Sequence, residues 1–344
     1  MSPILRSRHT TESSDWYADR AARLGGSEIA TVLNLPGVYD TPFTLWHRKA
    51  GTAGPDQGDS NPSTEWGHRL EPVIIAKWLE DHPGWEIVPW TRGTMWIDDA
   101  QPWRLASPDA IVWCPATGQI EILECKTCDD TQAWEWEGTV PPLRYVCQLR
   151  WYLDILQVAR GRILVLIGGN DYREFIVHAD ARDAEVMTAA GARFLATVAA
   201  GEAPPVDGTE RTLRLLRFMH PHITPDTVEI PAALAVEFLD AAADQELADA
   251  RFDTARARLL DLMGDARTAE HDGIRLAFRM SHNPTMRCAC AEGCKLCNFT
   301  GVVKTPGLPY LRKDAKTLTG WTTGSITLAD PEPEAGTDTE GDPS

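Results

Sequence analysis

The chain has no apolar run approaching the roughly 20 residues that a membrane helix needs. Its first fifteen residues, MSPILRSRHTTESSD, contain no stretch of signal-peptide length. A membrane protein and a secreted one are both disfavoured, and a cytoplasmic location is expected. Basic charge is also scarce. Against 50 Asp and Glu there are 33 Lys and Arg, a net charge of −17, which excludes coating of nucleic acid through a broad basic face. Part of the excess sits in the tail after Asp330, which has no basic residue, yet the remainder is still acidic. Any nucleic-acid contact must therefore use a confined basic lining. No phosphate-binding loop, dinucleotide fingerprint, Ser-His-Asp arrangement or internal repeat is present.

What is there suggests a main domain with an appendage. At 344 residues the chain exceeds the size at which one core keeps growing. The expected division is 1–210 for the core, 211–325 for a helical region with a cysteine-bearing insert, and 326–344 for a disordered acidic tail. Trp16 to Leu24 reads as a helix broken by Gly25-Gly26, with Ser27 at a favoured N-cap position. Thr41-Pro42 followed by FTLWHRKA and Gly51 is a well-punctuated short helix. A longer helix, about 64–81, should bend at Pro72. Residues 105–113, 119–127, 162–167 and 172–178 are short runs rich in Ile, Val and Leu, bounded by Pro or Gly, and read as strands. Helices at 142–157 and 183–200 flank them, giving an α/β arrangement of a sheet covered by helices. From Leu234 to Leu262 apolar residues step by four and three with one polar exception, Gln245. This heptad-like stripe reads as a helix or helical hairpin packed on the main domain rather than a free coiled coil.

The chemistry concentrates in SPDAIV (107–112) and ILECKT (122–127). Glu124 and Lys126 are two apart on one strand and so share a face. Antiparallel pairing with the preceding strand can bring Asp109 close to Glu124. Two carboxylates on neighbouring strands can hold a hard cation such as Mg2+, and an adjacent ammonium can orient water and offset phosphate charge. Phosphodiester hydrolysis needs this set. The bland alternative is an exposed ion pair on an amphipathic strand. Glu71 on the helix before the sheet can add a carboxylate, and Gln148 and Tyr152 share a helix face.

At these residues the chain resembles the PD-(D/E)xK nucleases, and within them the YqaJ-type viral recombinases related to lambda exonuclease. The motifs are Gly25-Gly26-Ser27, Gly67 with Glu71-Pro72, Pro108-Asp109, Glu124-Cys125-Lys126, and Gln148 ahead of Tyr152-Leu153, in that order over about 15–205. The resemblance implies a restriction-endonuclease-like core, a central mixed sheet flanked by helices, with a C-terminal helical and small metal-binding appendage. It implies Asp109, Glu124, the Cys125 carbonyl and Glu71 as ligands of one or two Mg2+ (or Mn2+) ions. Lys126 would assist the nucleophile, and Gln148 would lie beside the scissile phosphate. Arg20 (or Arg23) and Ser27 would bind the terminal 5′-phosphate, with Tyr152 in the DNA-binding set. The implied activity is 5′-to-3′ digestion of one strand of linear double-stranded DNA, by a homo-oligomer forming a trimeric ring, in company with a single-strand annealing protein.

Cys288, Cys290, Cys294 and Cys297 fall within ten residues, and their spacing suits structural Zn2+. An iron–sulfur cluster, as in RecB-like nucleases, is the rival, and a non-catalytic DNA-binding adaptor on a nuclease scaffold is a third reading. Trp134 and Trp136 are expected to pack in the core rather than stack on bases.

Overall fold

The structure, a computed structural model, describes residues 14–53, 62–89, 94–281, 285–287, 302–304 and 309–313. The chain divides into two compact units, Met1–Pro225 and Asp226–Ser344.

The first unit begins with helix α1 (Ser14–Ala21), a two-residue strand β1 (Leu24–Gly25) and helix α2 (Gly26–Val32). The N-cap of α2 is Gly25, not Ser27. Glu28, three residues on, returns its carboxylate to the Gly25 amide at 3.0 Å, the reciprocal half of a capping box. Helix α3 (Pro42–Lys49) starts as expected, with Thr41 accepting from the Thr44 amide and proline at the first position. Helix α4 (Pro62–Asp81) runs through Pro72 without interruption. Its proline is exposed to solvent, so the carbonyl that loses a partner four residues back can be hydrated. Ile74, Ile75 and Trp78 bury the following turns.

Strands β2 (Glu86–Ile87) and β3 (Trp96–Ile97) precede β4 (Arg104–Ala106), β5 (Ala110–Cys114) and β6 (Gln119–Cys128). The single strand expected over 105–113 is thus two strands in different sheets: β4 pairs β1 and β3, whereas β5 joins the main sheet. Pro108, lacking an amide donor, falls at the break. A 3-10 turn over Asp130–Trp136 leads to helix α5 (Leu143–Leu156), then β7 (Arg160–Ile167), β8 (Asp171–His178), and helices α6 (Ala181–Ala200) and α7 (Glu210–Met219). The main sheet has the order β2-β5-β6-β7-β8. Only β6 and β7 run parallel, as a strand–helix–strand crossover through α5 requires. The sheet is therefore mixed, and helices cover both faces. On one face Leu149, Trp151 and Leu153 of α5 pack with Ile122 and Ile163. On the other, α4 buries Trp78 against Leu123 and Leu164. Thr212 of α7 lies 3.2 Å from Thr41, and Arg211 reaches Asp40 at 2.5 Å, which ties α7 to the start of α3.

The second unit contains the long helix α8 (Ala232–Met263) and strands β9 (Thr268–His271), β10 (Ile274–Ser281), β11 (Thr285–Arg287), β12 (Val302–Lys304) and β13 (Pro309–Lys313). β10 lies between β9 and β13, and β11 pairs with β12. Among the described residues of this unit, the C-terminal end of α8 is the part that packs: Leu259, Leu260 and Met263 meet Ala269 and Ala277. No described element of this unit covers the stripe from Leu234 to Ala255. Among the described residues no helix is long and apolar enough to cross a membrane.

Candidate functional site

The site is built on the β5–β6 hairpin. Ala110 stands opposite Leu123, so one step beyond the ladder Asp109 arrives across from Glu124. Asp109 does not lie within a strand; it belongs to the Ser107–Asp109 break between β4 and β5. Its Oδ2 accepts from the Cys125 backbone amide at 2.6 Å. The break thus frees Asp109 from strand pairing and lets it bond along the neighbouring strand.

Glu124 and Lys126 leave the face of β6 that α5 covers. Lys126 Nζ lies 2.6 Å from Glu124 Oε1 and donates to Gln148 Oε1 at 3.1 Å. Gln148 Nε2 donates to the same Glu124 Oε1 at 2.6 Å and lies 3.1 Å from the Tyr152 hydroxyl. One carboxylate oxygen is thus held from two sides. The other, Oε2, is buried with no hydrogen-bond partner, on a residue only 2% exposed. Such an oxygen is costly to leave bare. Burial pushes the Glu124 carboxyl up to about 8, and the negative charges of Asp109 and Glu71 push it the same way, against Lys126. Burial pulls the Lys126 ammonium down, but Glu124 and Asp109 more than offset this and hold it above the usual lysine range. Lys126 therefore stays charged, its Nζ 5.0 Å from the centre of the Tyr145 ring.

Glu71 is half-buried on α4, one turn before Ile74 and Ile75 anchor that helix to the sheet. Its carbonyl accepts from Cys125 Sγ at 4.0 Å. Burial, then Asp109, Glu124 and Glu71, raise the Cys125 thiol well above its ordinary value. Cys125 is therefore a neutral thiol among acids. Among the described residues no ready-made group of three His, Cys, Asp or Glu side chains is close enough to cage a metal. The chemistry of the donors nevertheless fits a hard cation: a bare buried carboxylate oxygen with two more acids whose charges it feels. Cys288, Cys290, Cys294 and Cys297 lie outside the described residues.

The second cluster lies beside the first. Arg20 donates to Ser27 Oγ at 2.7 Å. Arg23, the other candidate, is instead held by Asp19 at 2.6 Å and by the Pro102 carbonyl at 2.9 Å. A Cβ placed on Gly26 would come within 2.5 Å of Tyr152 Cε1 and 2.9 Å of the Gln148 carbonyl. Only glycine lets α2 approach α5 this closely, so the Gly-Gly-Ser segment is fastened to the residues that position Glu124 and Lys126.

Two features were not read from the sequence. One is the pair Glu28–Lys49, 2.8 Å apart with side chains 7% and 3% exposed. Lys49 also donates to the Arg20 and Arg23 carbonyls at 3.0 and 2.5 Å, which pins the end of α1 beside Arg20. Glu three residues after Gly25 was the available signal, as a capping box. The other is the exposure of Trp134. Trp136 is buried and stacked on Tyr145, ring centres 5.3 Å apart, whereas Trp134 is 58% exposed, against its expected place in the core.

The mixed sheet thus gathers two carboxylates and a lysine at one hairpin. Residues 15–158 match the YqaJ-like viral recombinase domain. The uncharacterized protein YqaJ of Bacillus subtilis (strain 168) is 27% identical over 217 residues, covering 62% of this chain and 65% of that protein. The chain thus spans slightly less than two thirds of that relative. Among solved structures it is similar to an alkaline exonuclease from Laribacter hongkongensis, at 16% identity, with a TM-score of 0.44 over 61% of this chain and 99% of that one. The same enzyme in complex with dAMP gives 19% identity and a TM-score of 0.44, with the same coverage. A phage-related exonuclease from Haemophilus somnus 129PT is 12% identical, with a TM-score of 0.35 over 53% of this chain and 96% of that one.

Proposed function

We propose that this chain is a metal-dependent exonuclease. It would digest one strand of linear double-stranded DNA from 5′ to 3′ and leave 3′ overhangs for recombination by single-strand annealing. The observation that carries this reading is the bare, buried Oε2 of Glu124 among acids, with the charged Lys126 on its other oxygen. Asp109, Glu124, the Cys125 carbonyl and Glu71 would hold Mg2+ or Mn2+. When bound, such an ion supplies a Lewis acid for the phosphoryl oxygen and lowers the pKa of a water in its shell.

The remaining work falls to the protein's own groups. Lys126 keeps its proton and can orient the attacking water or offset charge on the phosphate. Gln148 fixes both Lys126 and Glu124, and the Tyr152 hydroxyl beside its amide steadies it in turn. Arg20 and Ser27 offer a guanidinium and a hydroxyl to a terminal 5′-phosphate, a charge-assisted contact. Assembly into a ring-shaped trimer, which the family resemblance implies, would confine basic side chains to a channel and suit the acidic exterior. An annealing protein would take over the overhang. The spacing of Cys288, Cys290, Cys294 and Cys297 supports structural zinc in the appendage.

The direct test is digestion of linear duplex labelled at either end, with Mg2+. A 5′ label should leave as mononucleotide from the start while a 3′ label stays in long strands. The reverse order would overturn the polarity, and intact duplex after prolonged incubation would remove the exonuclease reading.

A further inference from the structure

We propose that α8 pairs, antiparallel, with the α8 of a second copy of this chain. The helix is 32 residues long, about 48 Å, and the stripe residues from Leu234 to Ala255 are exposed. Leu234 is 50% exposed, Phe238 70% and Phe252 52%. An apolar seam of this length that no described element of its own unit covers marks an association surface.

Both the shapes and the charges along the helix select the partner and its direction. An antiparallel alignment with its midpoint between Gln245 and Ala248 sets Phe238 across from Ala255 of the second copy, and Phe252 across from Ala241. Large side chains then meet small ones in each of these layers, as a packed core requires. A parallel alignment would stack Phe238 on Phe238 and Phe252 on Phe252, and would leave underfilled layers of alanine between them. Gln245, the polar exception in the seam, falls beside the two-fold axis, where a single polar core residue fixes register.

The flanking charges agree with the packing. The first half of α8 is acidic at the seam's edge (Glu237, Asp244) and the second half is basic (Arg251, Arg258). In the antiparallel register Glu237 faces Arg258 and Asp244 faces Arg251, and symmetry repeats both pairs. The parallel register would instead oppose Asp244 to Asp249 and Arg251 to Arg256, like against like. The helix is complementary to itself reversed.

The test is the mass of the full chain in solution as a function of concentration, by sedimentation equilibrium. The mass should double on top of whatever assembly the first unit forms. Phe238→Asp together with Phe252→Asp should halve it. Asp244→Arg alone should weaken pairing roughly tenfold, as should Arg251→Glu, because each turns two attractive contacts repulsive. Combining the two should restore pairing, and circular dichroism should show all variants equally helical. Tighter pairing in Asp244→Arg would mean the parallel register and overturn the proposal. So would an absence of doubling, or doubling indifferent to the Phe238 and Phe252 changes, including the case in which a different protein covers the seam.

Discussion

Gln148 and Glu124 show how much of this site depends on single atoms. The Gln148 amide presents its oxygen to Lys126 and its nitrogen to Glu124, so one side chain sets the spacing between the proposed water-orienting group and the proposed ligand. Arg20 and Ser27 are argued in the same way. Their 2.7 Å contact builds a small donor cluster suited to an anion. Replacing both with alanine should erase the preference for 5′-phosphorylated over 5′-hydroxyl ends while leaving cleavage of internal linkages, once begun, near its normal rate. Initial rates on the two substrates check this, and a preference that survives places the end-binding pocket elsewhere. The sequence made Glu124 and Lys126 legible because strand alternation fixes which side chains share a face, and Asp109 because hairpin pairing sets it across from Glu124. It could not choose between Arg20 and Arg23, since that choice depends on Asp19 and the Pro102 carbonyl capturing Arg23.

Elements carry a second set of constraints, centred on α2. Gly26 is the place where α2 touches α5, and a methyl group there would meet the Gln148 carbonyl, a backbone atom that cannot rotate away. Gly26→Ala should cost about 1–3 kcal/mol of stability, as overpacking does, and should lower cleavage by shifting Gln148. Denaturant unfolding and a cleavage assay measure the two effects, and wild-type stability would mean that the helices part freely.

Glu28 gives the pH dependence of the same element. Burial raises its carboxyl, but Lys49, Arg20, Arg48 and the Gly25 amide outweigh burial and hold it below the ordinary 4.5. With its folded value depressed, Glu28 contributes stability that is present above the unfolded value and is lost as pH falls through the folded one. Thermal unfolding should therefore show wild type losing stability on acidification below about pH 4.5 more steeply than Glu28→Gln. Parallel profiles would mean that the pair contributes no pH dependence. At neutral pH Glu28→Ala should cost about 3 kcal/mol, because Lys49 is left buried without its partner. At this scale helices and hairpins were legible from capping and turn residues. The split of 105–113 was not, because apolar strand patterns do not say which sheet a segment joins. The unbroken α4 was missed because tertiary burial of Trp78 outweighs the local cost of Pro72.

At the scale of the whole molecule, the net charge of −17 and a proposed DNA substrate are reconciled only if the binding surface is small and cationic, with a metal at its centre. The basic groups near the site fit that description. Lys126 and Arg20 are each held in a specific pairing rather than spread over a face. The exposed stripe of α8 belongs to this scale too. Its heptads were visible in the sequence, but whether a stripe is covered by the same chain depends on long-range packing that periodicity does not encode.

Everything functional rests on the acids and lysine of the β5–β6 hairpin acting together on a divalent ion. The measurement closest to that claim is the release of nucleotides from 5′-phosphorylated linear duplex by wild type, Glu124→Gln and Lys126→Ala, each with Mg2+ and with chelator, alongside the melting temperature. Wild type should digest the duplex only with Mg2+, and the ion should raise its melting temperature. Glu124→Gln should lose both responses. Lys126→Ala should keep its fold and fall by about 10²–10³-fold in rate. Digestion in chelator, or full activity in either variant, would contradict the account.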